Sequence, residues 1–243
     1  GTENAIVPFW SPDSRSFGFV AGSTLKRFDL ATSSVRPIAT LAQPAQQVRT
    51  PAWGPDGTIL FSLTVGQPLH RLAENGGTPE PVGALDTAAN EVAQAYPVFL
   101  PDGRRFLYQS LRGTNQALAS VVVLGSLDSD ARVVLDVPDT RIVWAGDDRV
   151  IFRRADALYV QEIRYDPLAL VGEATQLVAE VGSTSFQGRS ESASAVGTLV
   201  FSEPSDRQQQ LRWYGRDGRP QASVGEAGRY STFDLSPDGR RIV

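Results

Sequence analysis

The chain has 243 residues, a net charge of −4 at neutral pH, 41% hydrophobic and 21% charged residues, and no cysteine. This length suffices for one large or two small domains whose core needs neither a metal ion nor a disulfide. The mild acidity, without a clustered basic stretch, argues against a nucleic-acid or anionic-membrane surface. The absence of cysteine excludes a disulfide framework, a thiolate metal site and a cysteine nucleophile.

No run approaches the roughly 18 apolar residues of a membrane helix, and no signal peptide is recognisable. We therefore expect that the chain itself is not inserted into a membrane. It starts at Gly1 and contains no methionine, so we expect it to be a fragment of a longer protein.

Taken in order, the chain repeats one kind of turn between two short apolar runs. The copies read Pro-Asp-Gly or Pro-Asp-Ser and lie at residues 12–14, 55–57, 101–103 and 237–239. Proline presets φ for a type I turn, aspartate can bond its own backbone, and glycine tolerates a left-handed exit. Each copy therefore predicts a β-hairpin.

The residues that close these turns mark a repeating unit. With two weaker copies included, the marks are 42 to 49 residues apart and fall at Ser14, Gly57, Gly103, Asp148, Gly197 and Gly239. Apolar residues alternate with a period of two, and the first unit divides into four short strands at 9–11, 17–20, 25–30 and 35–38. Units of this length made only of strands and turns are typical of propeller blades.

The sequence thus predicts an all-β fold, a single β-propeller domain over 1–243 with four-stranded antiparallel blades. Five complete blades are expected at about 8–50, 51–94, 95–140, 141–190 and 191–229, with a partial blade at 230–243. A closed ring of six blades is favoured. Because a blade cannot hide both of its faces alone, its stability must come from stacking on its neighbours.

The hairpins vary in a specific order along the chain. Pro8-Phe9-Trp10-Ser11-Pro12-Asp13-Ser14-Arg15 comes first, followed by related segments at 57–61, 97–108, 197–201 and 235–241. The repeat resembles the TolB-like propeller repeat. The order of variants is similar to that of the propeller C-terminal to the kinase domain and membrane helix of bacterial Ser/Thr protein kinases. This resemblance covers essentially the whole chain and implies an extracytoplasmic, non-catalytic region that senses ligands or binds proteins.

The chain departs from that family in the segment before the third hairpin, Glu91 to Tyr96. Related sequences often carry a His-Arg pair there, whereas this chain has Ala93 and Gln94. The kinase signatures are also absent, since there is no Gly-rich loop, His-Arg-Asp or Asp-Phe-Gly motif. We therefore expect no enzymatic activity, no catalytic, cofactor-binding or metal-binding residue, and no cofactor.

Several acidic side chains nevertheless invite a metal or catalytic interpretation. Those in the repeated turns are explained by backbone hydrogen bonds that aspartate accepts in such turns: Asp13, Asp56, Asp102 and Asp238. The others lack the alternating spacing of a calcium loop, which favours solvated loops: Asp86, Glu91, Asp147 and Asp148.

The single histidine, His70, falls within a predicted strand, and no Gly-x-Ser-x-Gly elbow accompanies it, so a packing or surface position is favoured. Bulky aromatic residues recur near the turns and are expected to fill the spaces between blades rather than to bind sugars or peptides: Trp10, Trp53, Phe99, Trp144 and Phe233. Arginine pairs at 104–105, 153–154 and 240–241 are expected on solvated faces rather than in one basic patch.

These observations favour a ligand-sensing or protein-interaction module, the extracytoplasmic region of a bacterial membrane-anchored Ser/Thr kinase. Its partner would be a protein, a peptide or a small ligand, held by loops or by the mouth of the channel, and not a nucleic acid. Two alternatives stay open. One is the substrate-gating propeller of a prolyl-oligopeptidase-type serine peptidase, and the other is a periplasmic TolB-like adaptor.

Overall fold

The structure is a computed structural model, and it describes residues 2–42, 48–114, 117–135, 142–146, 148–165, 167–182, 191–202, 209–215, 219–228 and 233–243. The chain forms two compact units, residues 1–139 and 140–243. Every regular element of the described residues is a β-strand, apart from one short 3₁₀ helix at Thr87–Ala89.

The first unit contains three four-stranded antiparallel sheets. Their strands are β1 (Ile6–Trp10), β2 (Ser16–Ala21), β3 (Thr24–Asp29) and β4 (Ser34–Thr40); β5 (Arg49–Trp53), β6 (Thr58–Ser62), β7 (Leu69–Ala73) and β8 (Glu80–Pro81); and β9 (Glu91–Phe99), β10 (Arg105–Thr114), β11 (Ala117–Ser126) and β12 (Val133–Leu135). In each sheet the strands lie side by side in chain order, as expected for propeller blades.

The second unit contains two more sheets of the same topology. Their strands are β13 (Ile142–Trp144), β14 (Arg149–Arg154), β15 (Ala157–Tyr165) and β16 (Leu168–Val178); and β17 (Glu191–Ala193), β18 (Leu199–Ser202), β19 (Gln209–Tyr214) and β20 (Pro220–Gly228). The prediction of an all-β propeller with five complete four-stranded blades is therefore confirmed. The number of blades in a closed ring stays a prediction.

A sixth hairpin follows the fifth sheet. Leu235 pairs with Ile242, and the Asp234 and Val243 backbones exchange two hydrogen bonds of 2.8 and 3.0 Å. The Ser192 hydroxyl ties this hairpin to β17, because it donates to Asp234 Oδ1 (2.9 Å) and accepts the Leu235 N–H (2.9 Å). The start of another unit is thus present, as predicted for the partial blade.

The six residues taken as marks of the repeat all have a left-handed backbone. Their φ angles lie between 57° and 84°. Four are glycines, which adopt this conformation at little cost, whereas Ser14 and Asp148 must tolerate it. In five of the six turns the marked N–H bonds the carbonyl three residues earlier, and in the fourth turn this bond shifts by one residue, from Arg149 to Gly146. The hairpin turns predicted from sequence are confirmed.

One long hairpin, β15–β16, extends beyond the strands that the sequence indicates. In β15 and β16 the apolar pattern marks only 157–160 and 176–178, although the paired strands run from Ala157 to Val178 around one turn. The outer part, from Ile163 and Leu170 to the turn, pairs within this hairpin alone. No third strand pairs with this part, although Ile163 is buried, and the apolar pattern of the sequence does not extend into it.

The first strands of consecutive sheets contact each other within each unit, so the main apolar packing lies between sheets. In the first unit a cluster of Phe9, Trp53, Phe61 and their neighbours joins the first two sheets. In the second unit a cluster that includes Ile151, Leu158 and Phe201 joins the fourth and fifth.

Candidate functional site

The aspartates of the repeated turns are used by the turns themselves. Asp13 accepts hydrogen bonds from the Ser11 hydroxyl (2.7 Å) and the Arg15 N–H (3.0 Å). Partial burial opposes ionisation, but these two bonds outweigh it and hold the pKa of Asp13 below its ordinary value. Asp238 has the same arrangement with Ser236 and Arg240. The hydrogen bonds expected of aspartate in such turns are therefore present.

The arginine pairs form separate local contacts. Arg104 pairs with Asp128 and, at 3.3 Å, with Asp56, while Arg105 pairs with Asp102 of its own turn. Arg153 donates to the Gly182 carbonyl at 3.2 Å. These contacts agree with the expectation that the pairs do not build one basic patch.

His70 lies in β7 and is half-buried. Its Nδ1 is 3.1 Å from the Pro68 carbonyl oxygen, and its ring centroid is 6.3 Å from that of Phe61. Burial lowers the pKa of His70, although the Pro68 carbonyl acts in the opposite direction. No carboxylate from the described part of the chain pairs with this ring, which fits a packing position.

Of the remaining acids, Glu91 is not a solvated loop residue. It begins β9 and is only 4% exposed. Its Oε2 accepts three hydrogen bonds, from Arg132 Nη1 (3.1 Å), Gln94 Nε2 (3.0 Å) and the Asp86 N–H (2.7 Å). The expectation for Glu91 is therefore wrong, because a neighbouring arginine and an amide compensate its burial.

Asp86 precedes the 3₁₀ helix and accepts the Ala89 N–H at 3.1 Å, so it is a capping residue. Asp148 is exposed at the fourth turn, as expected, and Asp147 lies outside the described residues.

Gln94 and Ala93 stand where the kinase-associated family often has His-Arg. Gln94 is 2% exposed and connects two sheets, because its Oε1 accepts the Leu69 N–H (3.0 Å) of β7 while its Nε2 donates to Glu91. Tyr108 lies beside this group, and burial, followed by the Glu91 charge, raises the pKa of Tyr108 to about 12. Gln94 is thus part of a buried polar network.

Three further polar atoms at this edge have no hydrogen-bond partner among the described residues: Arg49 Nη1, Ser62 Oγ and Gln67 Oε1. Arg49 and Ser62 are direct partners across β5 and β6, and Ser62 also faces Leu69, whose N–H Gln94 binds. The Gly66 N–H donates to the Val92 carbonyl (2.7 Å) and holds the β6–β7 loop against β9. We call Arg49, Ser62, Gln67, Glu91 and Gln94 the polar edge.

The first three members of the polar edge were not predicted from the sequence. The available signal was a polar residue within a buried apolar run, since Ser62 follows Leu60 and Phe61 and precedes Leu63. Buried polar groups are nearly always hydrogen-bonded to protein or to ordered water, so unpartnered ones call for an explanation. The three atoms are a cationic donor, a hydroxyl and an amide acceptor, and all three are buried.

The recurrent aromatic residues mostly behave as interface fillers. Trp10 and Trp53 are 6% and 7% exposed, and Trp53 packs on Phe9 with ring centroids 5.9 Å apart. Phe233 is also buried, but it is not the counterpart of Trp53. Trp53 pairs with Ile59 across its hairpin, and Leu235 pairs in the same way with Ile242, so Leu235 is the counterpart. In the fifth sheet this position belongs to Ala193, which pairs with Leu199.

Comparison with known proteins gives the fold. No family model matches the chain, and no curated protein matches it. TolB from Acinetobacter baumannii is similar in structure, with a TM-score of 0.69 and 17% identity over 92% of this chain and 55% of that one. A candidate TolB from Agrobacterium tumefaciens gives a TM-score of 0.69 with 20% identity, over 97% and 87% of the two chains. The TolB-like propeller fold is therefore supported, at identities that speak to the fold alone.

The same fold occurs in enzymes. The tricorn protease matches with a TM-score of 0.66 and 16% identity, over 98% of this chain and 24% of that one. Luciferin-regenerating enzyme and streptogramin B lyase match with TM-scores of 0.60 and 0.59. The prediction that the chain is not an enzyme is therefore wrong. It rested on missing kinase and hydrolase motifs, and propellers carry other chemistries as well.

No helix among the described residues is long and apolar enough to cross a membrane. In the same part of the chain, no three or more His, Asp or Glu side chains are grouped so that they could hold a metal ion.

Proposed function

We propose that the chain is a recognition module of the TolB-like propeller type that binds a protein or peptide at the polar edge. The observation that carries this proposal is the set of buried, unpartnered atoms at Arg49, Ser62 and Gln67. An extended peptide presents carbonyl acceptors and N–H donors in alternation. Carbonyls suit the Arg49 guanidinium, N–H groups suit the Gln67 amide oxygen, and the Ser62 hydroxyl accepts either role.

The neighbouring Glu91 network supports the same assignment. Its hydrogen bonds fix Gln94 and, through the Leu69 N–H, the start of β7. The bond between Gly66 and Val92 fixes the loop that carries Gln67. A rigid edge loses little conformational entropy when a partner binds, and this favours recognition.

A peptide-array screen followed by titration of the strongest peptide tests this function. Arg49→Met is expected to weaken binding by about tenfold or more, since hydrogen bonds to a charged group contribute about 1.5–3 kcal/mol. Arg36→Met is the matched control, because Arg36 is an exposed arginine on the outer strand β4. Equal loss in both variants, or the absence of any binding peptide, would mean that ordered water alone completes the polar edge. If the chain turns over a substrate and Glu91→Gln abolishes that turnover, the polar edge is a catalytic site rather than a binding site.

We also propose an extracytoplasmic location, in line with the TolB-like fold and the resemblance to kinase-associated propellers. The absence of cysteine provides a clean background for labelling. Val65→Cys and Val196→Cys place single thiols at residues that are 58% and 57% exposed. A membrane-impermeant maleimide should label both in cells whose outer membrane alone is permeabilised. Labelling only after lysis of the inner membrane would refute this location.

The link to a membrane-anchored Ser/Thr kinase is the finer form of the proposal, and the native gene tests it. An upstream kinase domain with a membrane helix would support a receptor ectodomain. A downstream hydrolase would support the peptidase-gating alternative, which the match within a protease chain favours. A signal peptide with no further domain would support a free adaptor.

A further inference from the structure

A second candidate site lies in the second unit, between the fourth and fifth sheets. It is an open cleft of about 540 Å³, counted with its solvent-filled mouth. Its walls are mainly apolar and include Ile151, Val160, Leu177 and Ala193. The cleft shares no residue with the polar edge.

The cleft exists because one repeat position has lost its aromatic side chain. Between the first and second sheets, Trp53 fills that position, packing on Phe9 and beneath the Arg27 guanidinium, 5.1 Å from the ring centroid. Ala193 replaces this tryptophan in the fifth sheet, and Val160, the counterpart of Arg27, lies across from it. The empty space therefore corresponds to a missing aromatic ring and its cation.

The residue that corresponds to Phe9 is also smaller. Val143 pairs with Ile151 as Phe9 pairs with Gly18. Ile151 restores part of the lost volume where the first sheet has only a glycine, but the space beside Ala193 stays open. An apolar gap at a position where other units carry an aromatic residue suits a flat aromatic group, since such groups bury a large area with few internal rotations.

Charge at the rim specifies the ligand further. Arg149 lines the cleft at the end of the fourth turn. Its counterparts after the third and sixth turns pair with carboxylates of their own turns, Arg105 with Asp102 and Arg241 with Asp238. Arg149 forms no such pair with a carboxylate of its own turn among the described residues, and its direct partner across β14 and β15 is Glu162. An arginine beside an apolar cleft is well suited to a carboxylate, which it can bind through two parallel hydrogen bonds.

We propose that this cleft binds a small aromatic carboxylate, with the ring between Ile151, Val160 and Ala193 and the carboxylate on Arg149. The ring takes the place of the indole that other units supply from their own chain. Neither the ligand class nor the position follows from the function proposed for the polar edge, so either site can fail without the other.

The first experiment is a calorimetric titration of the 243-residue chain with indole-3-acetate and with indole-3-acetamide, its neutral isostere. The acid should bind about tenfold more tightly, since only the acid can form the charge-assisted pair with Arg149. Equal affinity for the two compounds, or no binding of the acid at millimolar concentration, would overturn the proposal.

Three variants then locate the binding. Arg149→Gln should reduce the affinity for the acid to that for the amide, while Arg105→Gln, the matched change after the third turn, should leave both unchanged. Ala193→Trp should abolish binding of both compounds by restoring the side chain that fills the other interface. Undiminished binding to Ala193→Trp would overturn the proposal. If that variant does not fold, Val160→Phe obstructs the same space from the opposite wall and gives the same readout.

Arg49→Met separates the two sites. It should leave the indole-3-acetate titration unchanged while it weakens peptide binding at the polar edge. A loss of indole-3-acetate affinity in Arg49→Met, with Arg149→Gln silent, would place the bound acid at the polar edge and overturn the assignment to the cleft.

Discussion

Two interfaces between sheets, built on the same repeat, differ in how they are filled. Between the first and second sheets, Phe9, Trp53 and Phe61 form a closed cluster, and Gly18 lies directly against the Phe9 ring. Between the fourth and fifth sheets, Val143 and Ala193 leave a cleft. Two sheets therefore stack even where the aromatic residue is missing, but the aromatic residues decide whether the space between the sheets is filled.

The turns that border the two interfaces also differ in their residues. The first three turns carry Pro-Asp, but the turns at 145–149 and 194–198, which line the cleft, lack it. These two turns still adopt the left-handed conformation at Asp148 and Gly197 and close the hairpins. The repeat can therefore lose its most recognisable residues without losing its backbone geometry.

The largest expected effect is that of emptying the closed interface. Trp53→Ala should lower the free energy of unfolding by about 3–5 kcal/mol, because it removes a buried ring and leaves a cavity. Urea unfolding followed by circular dichroism measures this change. A loss below about 1 kcal/mol would show that the closed interface relaxes and that its filling matters little.

A single added methyl group tests how tightly the same interface is packed. A Cβ at Gly18 would lie 2.1 Å from Phe9 Cζ, so Gly18→Ala should cost about 1–3 kcal/mol of unfolding free energy. Val160→Ile adds one carbon to the wall of the cleft and should change stability by less than about 0.5 kcal/mol. Similar costs in both variants would contradict the difference between the two interfaces.

Filling the cleft should have the opposite sign. Ala193→Phe is expected to raise the free energy of unfolding by about 0.5–2 kcal/mol, the usual gain when a cavity is filled. Thermal unfolding measures this gain, and Ala169→Phe on the outer hairpin serves as a control outside the interface. A destabilisation confined to Ala193→Phe would mean that the cleft is too narrow for a ring.

The smallest effect concerns the turn chemistry and depends on pH. Partial burial acts to raise the pKa of Asp102. Hydrogen bonds from the Arg105 and Arg104 N–H groups and from the Arg105 guanidinium outweigh burial and hold this pKa below its ordinary value. Its contribution is therefore present above the unfolded pKa of about 4 and is lost as pH falls through the lower folded value.

Asp102→Asn should thus cost about 0.5–1 kcal/mol near pH 7, because the side chain is partly solvated, and progressively less towards pH 3. Urea unfolding at the two pH values measures the difference. Asp148→Asn is the matched change at the fourth turn. A cost for Asp102→Asn that does not change with pH would rule out ionisation as its cause.

Much of the fold could be predicted from the sequence because turn residues are a local signal. The positive φ at Ser14 and Gly103 follows from the residues around them. The outer part of the β15–β16 hairpin could not be predicted, since no third strand pairs with it. Glu91 could not be placed either, because its partner Arg132 is 41 residues away in the chain.

The candidate sites were harder to predict than the fold. Arg49 and Ser62 are ordinary residues in sequence, and only the register between β5 and β6 brings them together. The cleft did leave a trace, since the fifth unit has Ser192-Ala193-Ser194 where the other complete units have an aromatic residue. A missing side chain is a weak signal in a sequence, because its effect shows only in the structure of the interface.

The most direct measurement is a crystal structure of the chain grown with indole-3-acetate. We expect the ring beside Ile151, Val160 and Ala193, with the carboxylate paired to the Arg149 guanidinium. Two results would contradict the central claim that a missing aromatic residue creates a binding site. One is an interface between the fourth and fifth sheets that is packed as tightly as the one between the first and second. The other is a ring bound elsewhere while water fills the cleft.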